Sequence, residues 1–221
     1  MNASPPSSNP PGPFFDPLVA LCHHRWAVPI LALCAGEPGR GAKFVTFVAK
    51  LGLSRPTLVR TLEALIEQGL LARATGVQHP LRPEYVLTAT GATVAGACRV
   101  ALRELRRINA EEVGLNKWSI PAIAAIAAQP RRAARFGQLQ AALSGPTPRA
   151  LAETLREGQA AGIFTRDVLD TYPPVAEYRI DKRAVRLAAA VNRLAAEFGL
   201  RPAKRKSPEG GTDGFRLKKT G

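Results

Sequence analysis

A mostly α-helical fold with small β-ribbons, built twice within one chain of 221 residues, is predicted by three observations. The first is a long internal repeat. Trp26-Ala27-Val28-Pro29 returns as Trp118-Ser119-Ile120-Pro121, and Glu84-Tyr85 returns as Glu177-Tyr178. Between these anchors Phe44 answers to Phe136, Leu51 to Leu143, Leu62 to Leu155, and Gly69-Leu70 to Gly162-Ile163. The offset is 92 residues at the start of each copy and 93 after segment 52–57, so one single-residue indel near residues 52–54 explains the register. A repeat this long marks a duplicated domain, since solenoid units recur every roughly 20–50 residues. The second observation is apolar spacing, which is helical over most of each copy and strand-like in two short runs near its end. The third is charge: Lys+Arg 31 against Asp+Glu 17 gives +14, a balance that points to a polyanionic partner, nucleic acid before membrane surface.

Residues 1–13 are Pro, Ser, Gly and Asn without apolar periodicity and are expected to be a disordered arm. Residues 14–35 read as helical, with Pro29 tolerable in the first turn of a new helix beginning near Trp26. Residues 36–41 are a loop, and 43–51 a short helix carrying Phe44, Phe47 and Val48. Ser54 is placed to cap the next helix, whose apolar stripe is Leu58, Leu62, Leu65 and Ile66, and Gly69 stands at its C-terminal end. Segments 70–75 and 84–88 read as two short strands, and 89–110 as a long helix with Arg99, Arg103, Arg106 and Arg107 among its polar positions.

The second copy repeats this order, with helices over 118–128, 136–143 and 147–161, strands near 163–168 and 176–180, and a last helix over 182–198. The predicted units are 14–110 and 111–199, followed by a basic, disordered tail over 200–221. Residues 201–221 carry +5 of the net charge, so the folded part is basic in its own right. Two domains of about 90 residues each bury only modest cores, so packing one copy against the other is expected to add stability. Three helices, a ribbon and a further helix is the order of a winged helix-turn-helix domain, a fold that reads DNA.

The ordered residues also resemble a known family. Arg25-Trp26-Ala27-Val28-Pro29-Ile30-Leu31, Phe44, the run from Ser54 to Leu70, and Pro83-Glu84-Tyr85-Val86-Leu87-Thr88 are similar to the HxlR-type winged-helix regulators. The second copy matches through Lys117-Trp118, Phe136-Gly137-Gln138-Leu139, Thr147-Pro148-Arg149-Ala150-Leu151, Gly162-Ile163 and Glu177-Tyr178-Arg179-Ile180. The resemblance covers roughly residues 16–199. It implies a bacterial DNA-binding transcription regulator whose usual form is a homodimer of one-domain chains; two copies in one chain then form an intramolecular pseudo-dimer. Three departures stand out. Ser54-Arg55-Pro56-Thr57 transposes Arg and Pro relative to the family order, the second wing carries Asp167 and Asp170, and the family's N-terminal sensor cysteine is replaced by Phe14-Phe15-Asp16.

On the helix after Ser54, Thr57 and Arg60 face away from the core stripe near the N-terminus, where base edges are reached; an arginine bonds guanine bidentately, worth roughly 1–3 kcal/mol of discrimination. Ser54 and Arg55 suit phosphate contact, where free backbone N–H groups also favour an anion. In the second copy Thr147 opens the equivalent helix, and Arg149, Ala150 and Glu153 form the equivalent face. Lys43 and Arg135 open the helix before each reading helix and suit phosphate anchoring, while Arg82 in the first wing suits a backbone or minor-groove contact. Each of these has a plain alternative, a solvated surface charge or a rigid Pro-rich turn. Because the two faces differ, an asymmetric DNA site with unequal half-sites is expected. Two chains binding a palindrome through their first copies is the competing arrangement, and it would make a second copy of the chain a partner.

Other chemistry finds little support. Residues 36–44 lack the Gly-Lys-Ser/Thr order and the preceding strand of a phosphate loop. His23-His24 are adjacent and Cys22, Cys34 and Cys98 are scattered, so no zinc spacing exists and no metal or cofactor is expected. The cysteines read as small buried hydrophobes in a reducing, cytoplasmic setting. No membrane span, signal peptide, catalytic carboxylate pair or nucleophile–base set is recognised, and no residue set specifies a small-molecule effector. The alternative to a sequence-specific regulator is a winged-helix protein-docking module whose tail supplies nonspecific DNA affinity.

Overall fold

The computed structural model describes residues 15–37, 41–74, 84–129, 131–172 and 174–200. The first copy contributes helices α1 (Asp16–Cys22), α2 (Ala27–Cys34), α3 (Phe44–Leu51), α4 (Arg55–Glu67) and α5 (Ala89–Arg107), with strands β1 (Gly41–Lys43), β2 (Leu71–Ala74) and β3 (Glu84–Leu87). The second contributes α6 (Glu111–Gly114), α7 (Ser119–Ala127), α8 (Phe136–Ala142), α9 (Pro148–Ala160) and α10 (Val185–Glu197), with β4 (Ala133–Arg135), β5 (Phe164–Leu169) and β6 (Val175–Ile180). Both copies are winged helix-turn-helix domains.

Local chemistry explains the element ends. Pro29 lies in the first turn of α2, where its missing N–H has no intrahelical acceptor to disappoint. The α1 and α2 axes meet at 87°. Side-chain oxygens cap α4 (Ser54), α5 (Thr88) and the 3-10 turn Lys182–Ala184 that leads into α10 (Asp181). The long helix predicted over 89–110 ends at Arg107, because Asn109 adopts a left-handed conformation with φ 56°.

Each wing sheet has three strands rather than the predicted two. β1 joins β3 and β2, and β4 joins β6 and β5, all antiparallel. The residues read as a loop up to Gly41 therefore run directly into a ladder. The pairing reproduces both repeat offsets: Gly41↔Val86, Ala42↔Tyr85 and Lys43↔Glu84 become Ala133↔Arg179, Ala134↔Tyr178 and Arg135↔Glu177. Leu71↔Leu87 likewise becomes Phe164↔Ile180. The indel lies in the turn of the helix-turn-helix. Gly52 and Leu53 link α3 to the Ser54 cap with Gly52 at φ 65°, whereas Ser144, Gly145 and Pro146 make the second link with Gly145 at φ 106°.

The copies do not fold as separate bodies. One continuous apolar cluster runs from Phe15 to Leu200. α1 packs on α7 and α5 packs on α10, so each copy covers the other's core. α7 is buried at every position, which its all-apolar sequence after Ser119 permits. Along the seam Arg107 donates to the Arg183 carbonyl at 2.8 Å, and Arg183 returns a bond to the Ile108 carbonyl at 3.4 Å. The result is the intramolecular pseudo-dimer that the repeat implied.

Glu104 is a buried acid on this seam, 7% exposed. The Arg107 guanidinium, bonded to it at 2.7 Å, holds its carboxyl below the ordinary range against the opposing effect of burial. The charges of Arg103 and of Arg186 on α10 act in the same direction. A depressed folded-state pKa contributes stability above the unfolded value, and that contribution disappears as pH falls through the folded value. Glu104→Gln is therefore expected to lower stability by about 1–2 kcal/mol at pH 7, with the gap to wild type closing below the ordinary glutamate pKa of about 4.3. Urea unfolding at pH 7 and near pH 3 measures both.

Gly91, in the first turn of α5, meets the backbone of Leu70. A Cβ there would sit 1.8 Å from the Leu70 carbonyl oxygen, an obstacle no rotamer change relieves. Gly91→Ala is expected to cost about 2–3 kcal/mol and to lower the melting temperature by several degrees in a thermal scan.

Candidate nucleic-acid interface

Both copies present the same helix-turn-helix frame. Ser54 Oγ accepts from the Thr57 N–H at 3.4 Å and lies 2.8 Å from Thr57 Oγ1, while Thr61 Oγ1 donates to the Thr57 carbonyl at 2.8 Å. In α9, Thr147 Oγ1 accepts from the Ala150 N–H at 3.2 Å and Thr154 Oγ1 donates to the Ala150 carbonyl at 2.9 Å. Thr61 and Thr154 are both buried, so these bonds satisfy hydroxyls that water does not reach. The inner faces, Leu58, Leu62 and Leu65 in α4 and Leu151 and Leu155 in α9, are fixed in the core. The opposite faces are thereby turned outward.

Ser54, Arg55 and Arg60 are exposed, as are Thr147 and Arg149. Thr57 is half-buried and its hydroxyl is engaged with Ser54, so it is more a part of the cap than a free hydrogen-bonding arm. Lys43 and Arg135 are exposed N-cap residues of α3 and α8, each at the last position of its sheet strand. Arg82 lies outside the described residues.

The structure adds three residues that the linear reading of the reading helix did not group with it. His23, His24 and Arg25, in the turn between α1 and α2, line an open cavity of about 360 Å³ together with Trp26, Thr57, Arg60 and Thr61. Residues 14–35 read as helical, but His23 and His24 occupy the turn between α1 and α2, with ring centroids 5.2 Å apart in an edge-on arrangement. Burial and the neighbouring His23 hold His24 below the ordinary imidazole range, with Glu67 opposing. No spacing rule connects residue 23 to residue 60; only the tertiary approach of the α1–α2 turn to α4 does. The second copy offers a smaller cleft of about 290 Å³ lined by Arg149, Ala152, Glu153 and Arg156.

The second wing is less acidic in effect than its sequence suggests, because Arg179 forms an ion pair with Asp167 at 3.1 Å and also contacts Glu177. Asp170, Val168 and Tyr172 remain exposed there.

All three cysteines are buried and unpaired as disulfides. Burial pushes the thiols of Cys22 and Cys34 up to about 12 and that of Cys98 still higher, so reactive thiolate is scarce at neutral pH. Among the described residues no three His, Cys, Asp or Glu side chains come together as a metal site, and no single helix is long and apolar enough to cross a membrane.

Removing either cap isolates its contribution. Ser54→Ala and Thr147→Ala are each expected to cost about 1 kcal/mol, and the two losses should add because they share no partner. Denaturant titration of the single and double variants tests this.

A family model described as HxlR-like helix-turn-helix matches residues 21–111 and, a second time, residues 113–202. No curated protein matches the chain.

Proposed function

The chain belongs to the HxlR-like helix-turn-helix family, a family of DNA-binding transcription regulators, and on that premise we propose that it reads specific double-stranded DNA with two heads, α4 and α9. The observation that carries this reading is the duplication of the capped helix frame in one register, with arginines on both outward faces. The reading units are 14–110 and 111–199, flanked by the segments 1–13 and 200–221. Arg60 addresses bases from the first head, and Thr57 holds the cap beside it. Ser54, Arg55, Lys43 and the wing residue Arg82 address the backbone, and Arg135, Thr147 and Arg149 serve the second head in the same way. The shared core holds the heads at one separation, so the chain engages two half-sites without a second chain. Dimers place half-sites one helical turn apart, about 34–36 Å centre to centre.

A second reading draws on the second wing, where Val168 and Tyr172 are exposed beside Asp170. A surface of that kind suits protein docking, with DNA affinity supplied by charge alone.

Binding-site selection from a random duplex library at near-physiological salt separates the two. The expected outcome is a discrete motif for wild type, and for Arg60→Ala the same motif relaxed at one base position, with about 1–3 kcal/mol of discrimination lost there. Salt-sensitive binding without a motif would favour the docking module.

A further inference from the structure

Counted from their caps, α4 and α9 carry opposite charges at matching positions. Arg60 lies six residues beyond Ser54, and Glu153 lies six beyond Thr147; Glu63 and Arg156 each lie nine beyond the same caps. All four side chains are exposed. The caps, the threonine back-bonds and the sheet registers coincide between the copies, so these residues occupy equivalent places on equivalent faces.

The inversion also changes what each side chain has free. In α9, Arg156 Nη2 bonds Glu153 Oε1 at 3.3 Å. The glutamate precedes its cation there, the order that agrees with the helix dipole. In α4 the order is reversed, and neither Arg60 nor Glu63 takes an ion-pair partner among the described residues. The first head thus presents a free guanidinium, five donors without an acceptor. The second presents at the same place a carboxylate, acceptor only, steadied by its own arginine.

We infer that the pair Arg60/Glu153 is the specificity determinant that breaks the symmetry of the DNA site, an inference that rests on DNA reading by both heads. A guanidinium in the major groove matches guanine O6 and N7, and a carboxylate accepts from the cytosine N4 amino group. The site is therefore an inverted repeat interrupted at one position, where the strand read by each head carries guanine in one half and cytosine in the other. Exchanging the charges of one head converts the interrupted repeat into a perfect one.

Binding-site selection with wild type, E153R/R156E and R60E/E63R tests this, each protein first checked by circular dichroism and melting temperature. Wild type should select the interrupted repeat, E153R/R156E a perfect repeat with guanine in both halves, and R60E/E63R a perfect repeat with cytosine in both. Titration on the interrupted duplex and on each variant's own perfect one should show each α9 or α4 variant reversing the wild-type preference by at least about fivefold at that position. A symmetric wild-type site, or a wild-type motif left unchanged by both exchanges, overturns the inference while DNA reading stands. A single half-site indifferent to the α9 exchange overturns it too and confines reading to the first head. No motif from any of the three folded proteins overturns both the inference and the reading beneath it.

Discussion

Packing of α5 on α10 and of α1 on α7 is the constraint on which the rest of the molecule depends. A winged-helix unit of about 90 residues leaves a large share of its apolar surface open, and its stability is correspondingly slim. Here each copy closes the other: the cluster that begins at Phe15 continues without a break to Leu200. α2 and α7, whose sequences are apolar almost throughout, are tenable as helices because they lie at the centre of this joint core and not at a surface. The polar seam is arranged to match. Arg107 and Arg183 satisfy carbonyls across the copies, and Arg107 with Arg103 and Arg186 surrounds the acid Glu104. Rotating one head against the other would open the core and strand these charges, so the separation of the two reading helices is set by folding itself.

Covalent duplication freed the copies to diverge wherever the fold did not forbid it. At least one pair of core positions changed together. Leu65 of α4 corresponds to Gly158 of α9, and Leu71 of β2 to Phe164 of β5. The missing side chain at Gly158 is the space that the Phe164 ring fills, since a Cβ there would lie 2.4 Å from the ring. The larger ring at one position thus partly offsets the side chain missing at the other. Exposed positions on the reading faces obeyed no such rule, and there Arg60 and Glu63 became Glu153 and Arg156. A homodimer of one-domain chains has no access to this, because its two faces are the same residues.

The fold was legible in the sequence where elements are long or chemically marked. The helices over 55–67 and 148–160 declared themselves through Ser54 and Thr147 and through leucines at helical spacing. Strands β1 and β4 escaped because three residues carry no period-two signal and their partners lie more than forty residues away. α6 is one turn long and left no periodicity. At the site, exposure of Arg55, Arg60 and Arg149 followed from the stripe opposite them, whereas the half-burial of Thr57 followed from a cap bond that spacing alone does not announce. The cluster of His23, His24 and Arg25 beside Arg60 was invisible for a stronger reason: it is made by tertiary packing between a turn and a helix far apart in the chain.

Arg25 joins the two reading surfaces more directly than the core does. It lines the cavity beside Arg60, and its Nη1 donates to Asn116 Oδ1 at 3.2 Å. Asn116 Nδ2 in turn donates to Glu157 Oε2 on α9 at 3.1 Å. Three side chains thus run from the first head to the helix of the second. The symmetric route does not exist, because the counterparts of Arg25, Asn116 and Glu157 are Lys117, His24 and Ala64, and Lys117 lies over the Trp118 ring at 4.8 Å instead. A relay of exposed and half-buried groups is worth little as stabilisation, but its one-sidedness matters for position. The second reading helix is braced by the first copy, while among the described residues no comparable chain of side chains runs from the second copy to the first reading helix. Charge inversion on α9 and its brace through Asn116 therefore belong to one pattern, in which the two copies differ on both sides of the same helix and Arg60 of the first has no ion-pair partner among the described residues.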